Sequence, residues 1–142
     1  MNIYADSSFI VSSCVQDSHT LDVARRMLQG PRVWVTLFNR VEIANAIQRY
    51  VFRGAISAVD ARRSWANFEQ DRNDGVWTDV GLPSSVWDTS IALSARFGAI
   101  FGVRTLDSLH VACALELKAQ KFWTFDARQA RLAEAVGLDT TA

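Results

Sequence analysis

Asn2-Ile3-Tyr4-Ala5-Asp6-Ser7-Ser8 decides the fold class, because a short apolar run stops there at an acid and two hydroxyls. Residues 2–5 suit a buried strand, and Asp6-Ser7-Ser8 a loop or helix start, at residue types that favour helix caps. Phe9 to Val15 continues as a short helix. Outward from this unit the alternation repeats. A helix is expected from His19 to Leu28, stopped by Gly30-Pro31, and Val33-Trp34-Val35-Thr36 is β-branched and aromatic, as strands are.

Phe38 to Arg53 has helical spacing and Gly54 closes it. Ser57, with Asp60 three residues later, opens a helix that Asn73-Asp74-Gly75 stops. Val76 to Val80 is a strand, and Ser84 or Ser85 opens a helix reaching Phe97-Gly98. Thr105 caps an apolar helix through Lys118, Lys121 to Phe125 is a strand ending at Asp126, and Ala127 to Val136 is a last helix before Gly137. The strands are continuous apolar runs separated by crossover-length segments. That pattern predicts an α/β fold with a central, mainly parallel sheet and helices on both faces. The helices over 38–53 and 57–73 have no strand between them, so they are expected to project as a hairpin.

The chain's 142 residues fit a single domain, 1–142, large enough to bury a core without staples. No run approaches the ~18 apolar residues of a membrane span, and the start lacks a signal peptide's layout, so a reducing cytoplasm is expected. Cys14 and Cys113 lack metal-ligand spacing and suit small buried hydrophobes. Fifteen basic residues balance 15 acidic ones, so net charge does not announce a nucleic-acid binder. Only Lys118 and Lys121 are lysines; the rest are arginines, whose forks suit phosphate and carboxylate alike.

The groups with a structural placement for chemistry are acids. Asp6 and Asp126 each follow a predicted strand, and ligands of parallel sheets sit at the strands' carboxyl ends. Each is equally a helix cap. Asp107 lies in the first turn of a helix apolar on nearly all sides, hence buried, with its mouth at a partly enclosed site. His110 on the same helix suits a hydrogen-bonded supporting role better than metal ligation. Glu42 lies on a narrow polar seam with Asn45, Arg49 and Arg53, which ordinary solvation also explains. A set of carboxylates suits hard divalent ions. No His/Cys spacing suggests zinc, no Gly-rich loop a nucleotide cradle, and no Gly-x-Ser-x-Gly motif a covalent nucleophile.

Four segments together resemble the PIN domains, and in particular the VapC-type toxins of bacterial toxin–antitoxin pairs. They are Tyr4-Ala5-Asp6-Ser7-Ser8, Asn39-Arg40-Val41-Glu42-Ile43-Ala44-Asn45-Ala46, Arg104-Thr105-Leu106-Asp107-Ser108-Leu109-His110-Val111-Ala112 and Trp123-Thr124-Phe125-Asp126-Ala127-Arg128-Gln129. The resemblance implies a three-layer PIN-like fold and an acidic pocket of Asp6, Glu42, Asp107 and Asp126. Asp6 and Asp107 would be the foremost ligands of Mg2+, with Mn2+ as a substitute, and Ser8 and Thr124 auxiliary hydroxyls. It promotes Glu42, which the helix pattern alone does not. Ser108, where the family often has alanine, is a mild departure.

By the same resemblance the expected activity is hydrolysis of RNA by metal-activated water. The expected partners are RNA, a second copy in a homodimer, and a small antitoxin binding the 38–73 hairpin and the active-site groove. Tyr50, Phe52, Trp65 and Phe68 on that hairpin suit either a core seam or a partner groove. A housekeeping or DNA-directed nuclease with the same pocket is one competing expectation. A phospho-acceptor signalling module is another, though it would want a strand-end lysine near the acids.

Overall fold

The computed structural model describes residues 1–142. Its strands are β1 (Asn2–Ala5), β2 (Arg32–Val35), β3 (Trp77–Asp79) and β4 (Lys121–Trp123). Its helices are α1 (Ser7–Cys14), α2 (Thr20–Met27), α3 (Leu37–Phe52), α4 (Ala58–Asn73), α5 (Val86–Phe101), α6 (Thr105–Glu116) and α7 (Ala127–Ala135). All strand pairs are parallel, in the order β3-β2-β1-β4, with Ile3 opposite Val33 on one side and Lys121 on the other.

Side chains alternate across β1, and both faces are buried. Ile3 and Ala5 join one core cluster with Phe9, Val23, Ile43, Ile47 and Phe68, from α1 to α4. Tyr4 joins the other with Leu93, Val111 and Leu132, from α5, α6 and α7. These two clusters make three layers, and they explain why the strands lack a polar alternation. The chain leaves β1 for β2 and β3 on one side, then returns to lay β4 on the other. The connection order therefore reverses between β1 and β4, and a crevice opens beyond their carboxyl ends.

The α3–α4 hairpin is rooted in the first cluster by Ile43, Ile47, Ala61 and Phe68. Burying each of the larger three stabilises the fold by about 1.5–3 kcal/mol. Its distal turn stands in solvent, where Phe52 is 91% exposed. Tyr50 and Trp65 are half-buried against the core, and Trp65 lines a shallow recess with Ala44, Ile47 and Gln48. The four aromatics thus divide: Phe68 is core, Phe52 is free, and Tyr50 and Trp65 lie between.

Several boundaries differ from those expected, each for a local reason. Thr36 ends no strand; it caps α3, accepting from the Asn39 backbone at 3.2 Å while its own N–H donates to Asn39 Oδ1 at 2.9 Å. Helix α5 runs past Gly98 to Phe101 and stops at Gly102, which adopts the left-handed φ of 63°. An interior glycine costs only about 1 kcal/mol relative to alanine, too little to end a helix whose apolar face continues. Thr105 is the first residue of α6 and not its cap. Arg104 holds the cap position, and its backbone N–H donates to Asp107 Oδ2 at 3.0 Å. Helix α6 ends at Glu116, and the non-glycine Lys118 takes a φ of 56° beyond it. Strand β4 stops at Trp123, whose carbonyl accepts from Asp6 N at 3.0 Å. Thr124 then turns the chain, so Asp126 lies three residues beyond the strand. Cys14 and Cys113 are free thiols.

Candidate active site

Asp6 leaves β1 as the N-cap of α1 and is 2% exposed. Its Oδ1 accepts from Ser8 Oγ at 2.6 Å and Phe9 N at 3.1 Å, and its Oδ2 from Thr124 Oγ1 at 2.7 Å. Burial still raises its pKa, although the nearby His110 and these donors act to lower it. The fold thus holds a carboxyl where negative charge is costly, a position that favours a cation ligand. Thr124 Oγ1 also accepts from Asp126 N at 2.9 Å, so one hydroxyl ties the ends of β1 and β4 together.

Asp126 caps α7, accepting through Oδ1 from Arg128 N at 2.8 Å and Gln129 N at 3.2 Å. Its Oδ2 lies 3.4 Å from the Arg104 guanidinium. Asp107, in the first turn of α6, is 3% exposed and accepts from Gln129 Nε2 at 3.1 Å through Oδ1. Arg104 Nε also lies 3.6 Å from Asp107 Oδ2. Arg104 thereby sits between two carboxylates, but its side chain is 66% exposed, so solvent screens the pairing.

Glu42 stands one turn after Asn39 on α3. Asn39 ties that helix to β1 by donating to Ala5 O at 3.4 Å and Ser7 Oγ at 3.2 Å. Glu42 Oε1 accepts from Ser7 Oγ at 2.7 Å and from His110 Nε2 at 2.5 Å. His110 Nδ1 pairs with the Tyr4 hydroxyl at 2.8 Å, in the interior. With Glu42 ionised, Nε2 carries the proton donated to it while Nδ1 faces the Tyr4 hydroxyl, so neither ring nitrogen is free for a metal. His110 positions a carboxylate, as expected from its place one turn after Asp107.

All four carboxylates line one cleft of about 960 Å³, at the crevice between β1 and β4. Ser8 lines it too, whereas Thr124 acts from behind through its bonds to Asp6 and Asp126. No three His, Cys, Asp or Glu side chains converge there, or elsewhere, as a preformed metal cluster. Each acid is held apart by its own donors, an arrangement that relieves mutual repulsion. The donor chemistry nevertheless fits a hard divalent ion. The lining acids are all oxygen donors, and Gln129 Oε1, buried beside Asp107, has no partner.

Of the arginines, those at 49 and 104 line this cleft. Arg26 pairs with Asp22, and Arg40 with Glu69. Ser7, Asn39, Tyr4 and Gln129 were not legible as site residues. The available signals were adjacency for Ser7 and helical i,i+3 spacing from Asp126 for Gln129. Neither lysine lines the cleft, and Lys121 Nζ instead meets Thr141 Oγ1 at 2.8 Å.

Solved structures share this architecture. VapC20 of Mycobacterium tuberculosis, a toxin that cleaves the Sarcin-Ricin loop, superposes with a TM-score of 0.71 at 14% identity, over 98% of both chains. VapBC2 of Rickettsia felis, bound to a DNA fragment from its promoter, gives 0.68 at 10% identity, over 99% of this chain and 98% of that one. A toxin–antitoxin complex from Klebsiella pneumoniae gives 0.56 at 11% identity, over 89% and 88%. No curated protein matches by sequence. The family model described as PIN domain matches residues 3–135, nearly the whole chain and all four cleft acids, and the chain therefore belongs to the PIN-domain family.

Proposed function

We propose that this chain is a magnesium-dependent endoribonuclease acting as the toxin of a toxin–antitoxin pair. The observation that carries the proposal is that Asp6, Glu42, Asp107 and Asp126 all line one cleft at the sheet's switch point. Asp6 and Asp107 would hold Mg2+, or Mn2+ in its place, with Asp126 and Glu42 completing the acidic wall. When bound, the ion would neutralise phosphate charge and acidify water for in-line attack. Ser8 and Thr124 hold Asp6 in place, and His110 and Ser7 hold Glu42, so the acids are positioned before substrate arrives. Arg49 and Arg104 offer forks to the RNA backbone at the cleft wall.

The antitoxin would cover the α3–α4 hairpin, where Trp65 and Ala44 line an apolar recess, and run into the cleft. Likeness to toxin–antitoxin complexes supports that partner. A homodimer in the cytoplasm completes the reading; no helix is long and apolar enough to cross a membrane. Purified protein with magnesium should cut RNA, and Asp6→Asn or Asp107→Asn should abolish cutting. Undiminished cutting by both variants would refute the assignment.

A further inference from the structure

A column of aromatic rings runs from the core to the cleft that holds the acids. At its base Trp123 and Phe9 are fully buried, with centroids 5.2 Å apart. Phe125, half-buried, stacks on Phe9 at 5.7 Å and 21°. His19, exposed, stacks on Phe125 at 4.1 Å and 5°, nearly parallel. The Arg26 guanidinium lies 5.6 Å from the Phe125 ring and is held by Asp22 at 3.0 Å. The His19 backbone is pinned in turn, its N–H donating to Asp17 Oδ1 at 2.8 Å. Packing therefore fixes the inner rings, and the outermost has one face on Phe125 and the other open.

His19 and Phe125 both line the cleft with Asp6 and Asp126. His19 holds the N-cap position of α2 without a side-chain capping bond, so helix capping does not explain its orientation. We propose that this column is a nucleobase platform: an unpaired base of the RNA stacks on the open face of His19, beside the phosphate presented to the acids. This rests on the ribonuclease reading. Flat rings offer a face to any base, while phosphates find Arg49 and Arg104 on the same cleft wall. The platform binds single-stranded RNA with little base preference and orders the nucleotide next to the scissile bond.

The test compares wild type, His19→Ala and His19→Phe in steady-state cleavage of a single-stranded RNA. His19→Ala should raise KM about tenfold with kcat largely kept, the size of one base–aromatic stack, and His19→Phe should restore it. His19 is exposed, so thermal melting should show each variant folded. In parallel, Asp6→Asn should quench 2-aminopurine placed at one position beside the cleavage point, and Asp6→Asn/His19→Ala should not. An unchanged KM in His19→Ala, no rescue by His19→Phe, or equal quenching overturns the platform while leaving the ribonuclease reading intact. A wild-type protein that neither binds nor cuts RNA overturns both.

Discussion

Tyr4→Phe should test the buried relay that holds Glu42. The Tyr4 ring is fully buried and stacks on Phe122 at 5.8 Å and 4°, so phenylalanine keeps the packing and deletes one hydroxyl. The lost atom is the partner of His110 Nδ1 at 2.8 Å, and His110 is 2% exposed, so no water replaces it without local opening. Leaving one buried nitrogen bare costs about 1–3 kcal/mol. Taking about 2 kcal/mol, the Tm should fall by about 7 °C in a domain of this size. The sharper measurement is coupling with Glu42→Ala. Tyr4 and Glu42 have no direct hydrogen bond and are linked by hydrogen bonds through the imidazole, whose Nε2 meets Glu42 at 2.5 Å. Urea melts of the wild type, both single variants and the double variant, all in chelator, should show a coupling of about 1 kcal/mol. Additivity within about 0.3 kcal/mol would refute the relay, as would an unchanged melting point for Tyr4→Phe.

Two further outcomes follow from buried charge and backbone conformation. Burial raises the Asp6 pKa above its unfolded value, so the folded chain binds more protons in the window just above that unfolded value. Stability of the metal-free protein should then fall as pH rises through the raised pKa. Metal-free Asp6→Asn should accordingly be more stable than wild type at pH 7 and lose that advantage on acidification towards pH 4; a pH-independent difference would count against it. Lys118 occupies the left-handed position after α6, with Lys118 N bonded to Leu115 O at 3.1 Å and Ala119 N to Ala114 O at 2.9 Å. Lys118→Gly should stabilise the fold by about 0.5–1 kcal/mol, or about 3 °C in Tm, and a lower Tm would contradict the cost assigned to that φ.

The alternation of elements was legible because apolar runs and caps are local signals, and each expected strand and helix has a counterpart. What escaped were ends decided by tertiary bonds. Thr36 reads as strand until Asn39 closes the capping box, and Thr124 reads as strand until its hydroxyl is claimed by Asp6 and Asp126. Asp6 could be placed from its own segment. Glu42 could not, since its partners, Ser7 and His110, lie 35 and 68 residues away. A helix wheel shows only a polar seam there; the contacts that distinguish this acid from a solvated one exist only in three dimensions.

The return of β4 to the flank of β1 has a consequence for the life of the chain. Asp6 and Thr124 are separated by 118 positions and meet through a single hydroxyl contact. On a ribosome adding roughly 5–20 residues per second, the amino-terminal strand must wait several seconds for its second neighbour. During that interval β1 is paired on one edge only, and the cleft has no far wall. A nascent chain arrested before β4 and α7 emerge therefore carries Asp6, Glu42 and Asp107 but no assembled centre. Whatever this centre does, it cannot begin before β4 and α7 have emerged, and a truncation that removes them leaves the cleft without Thr124 and Asp126.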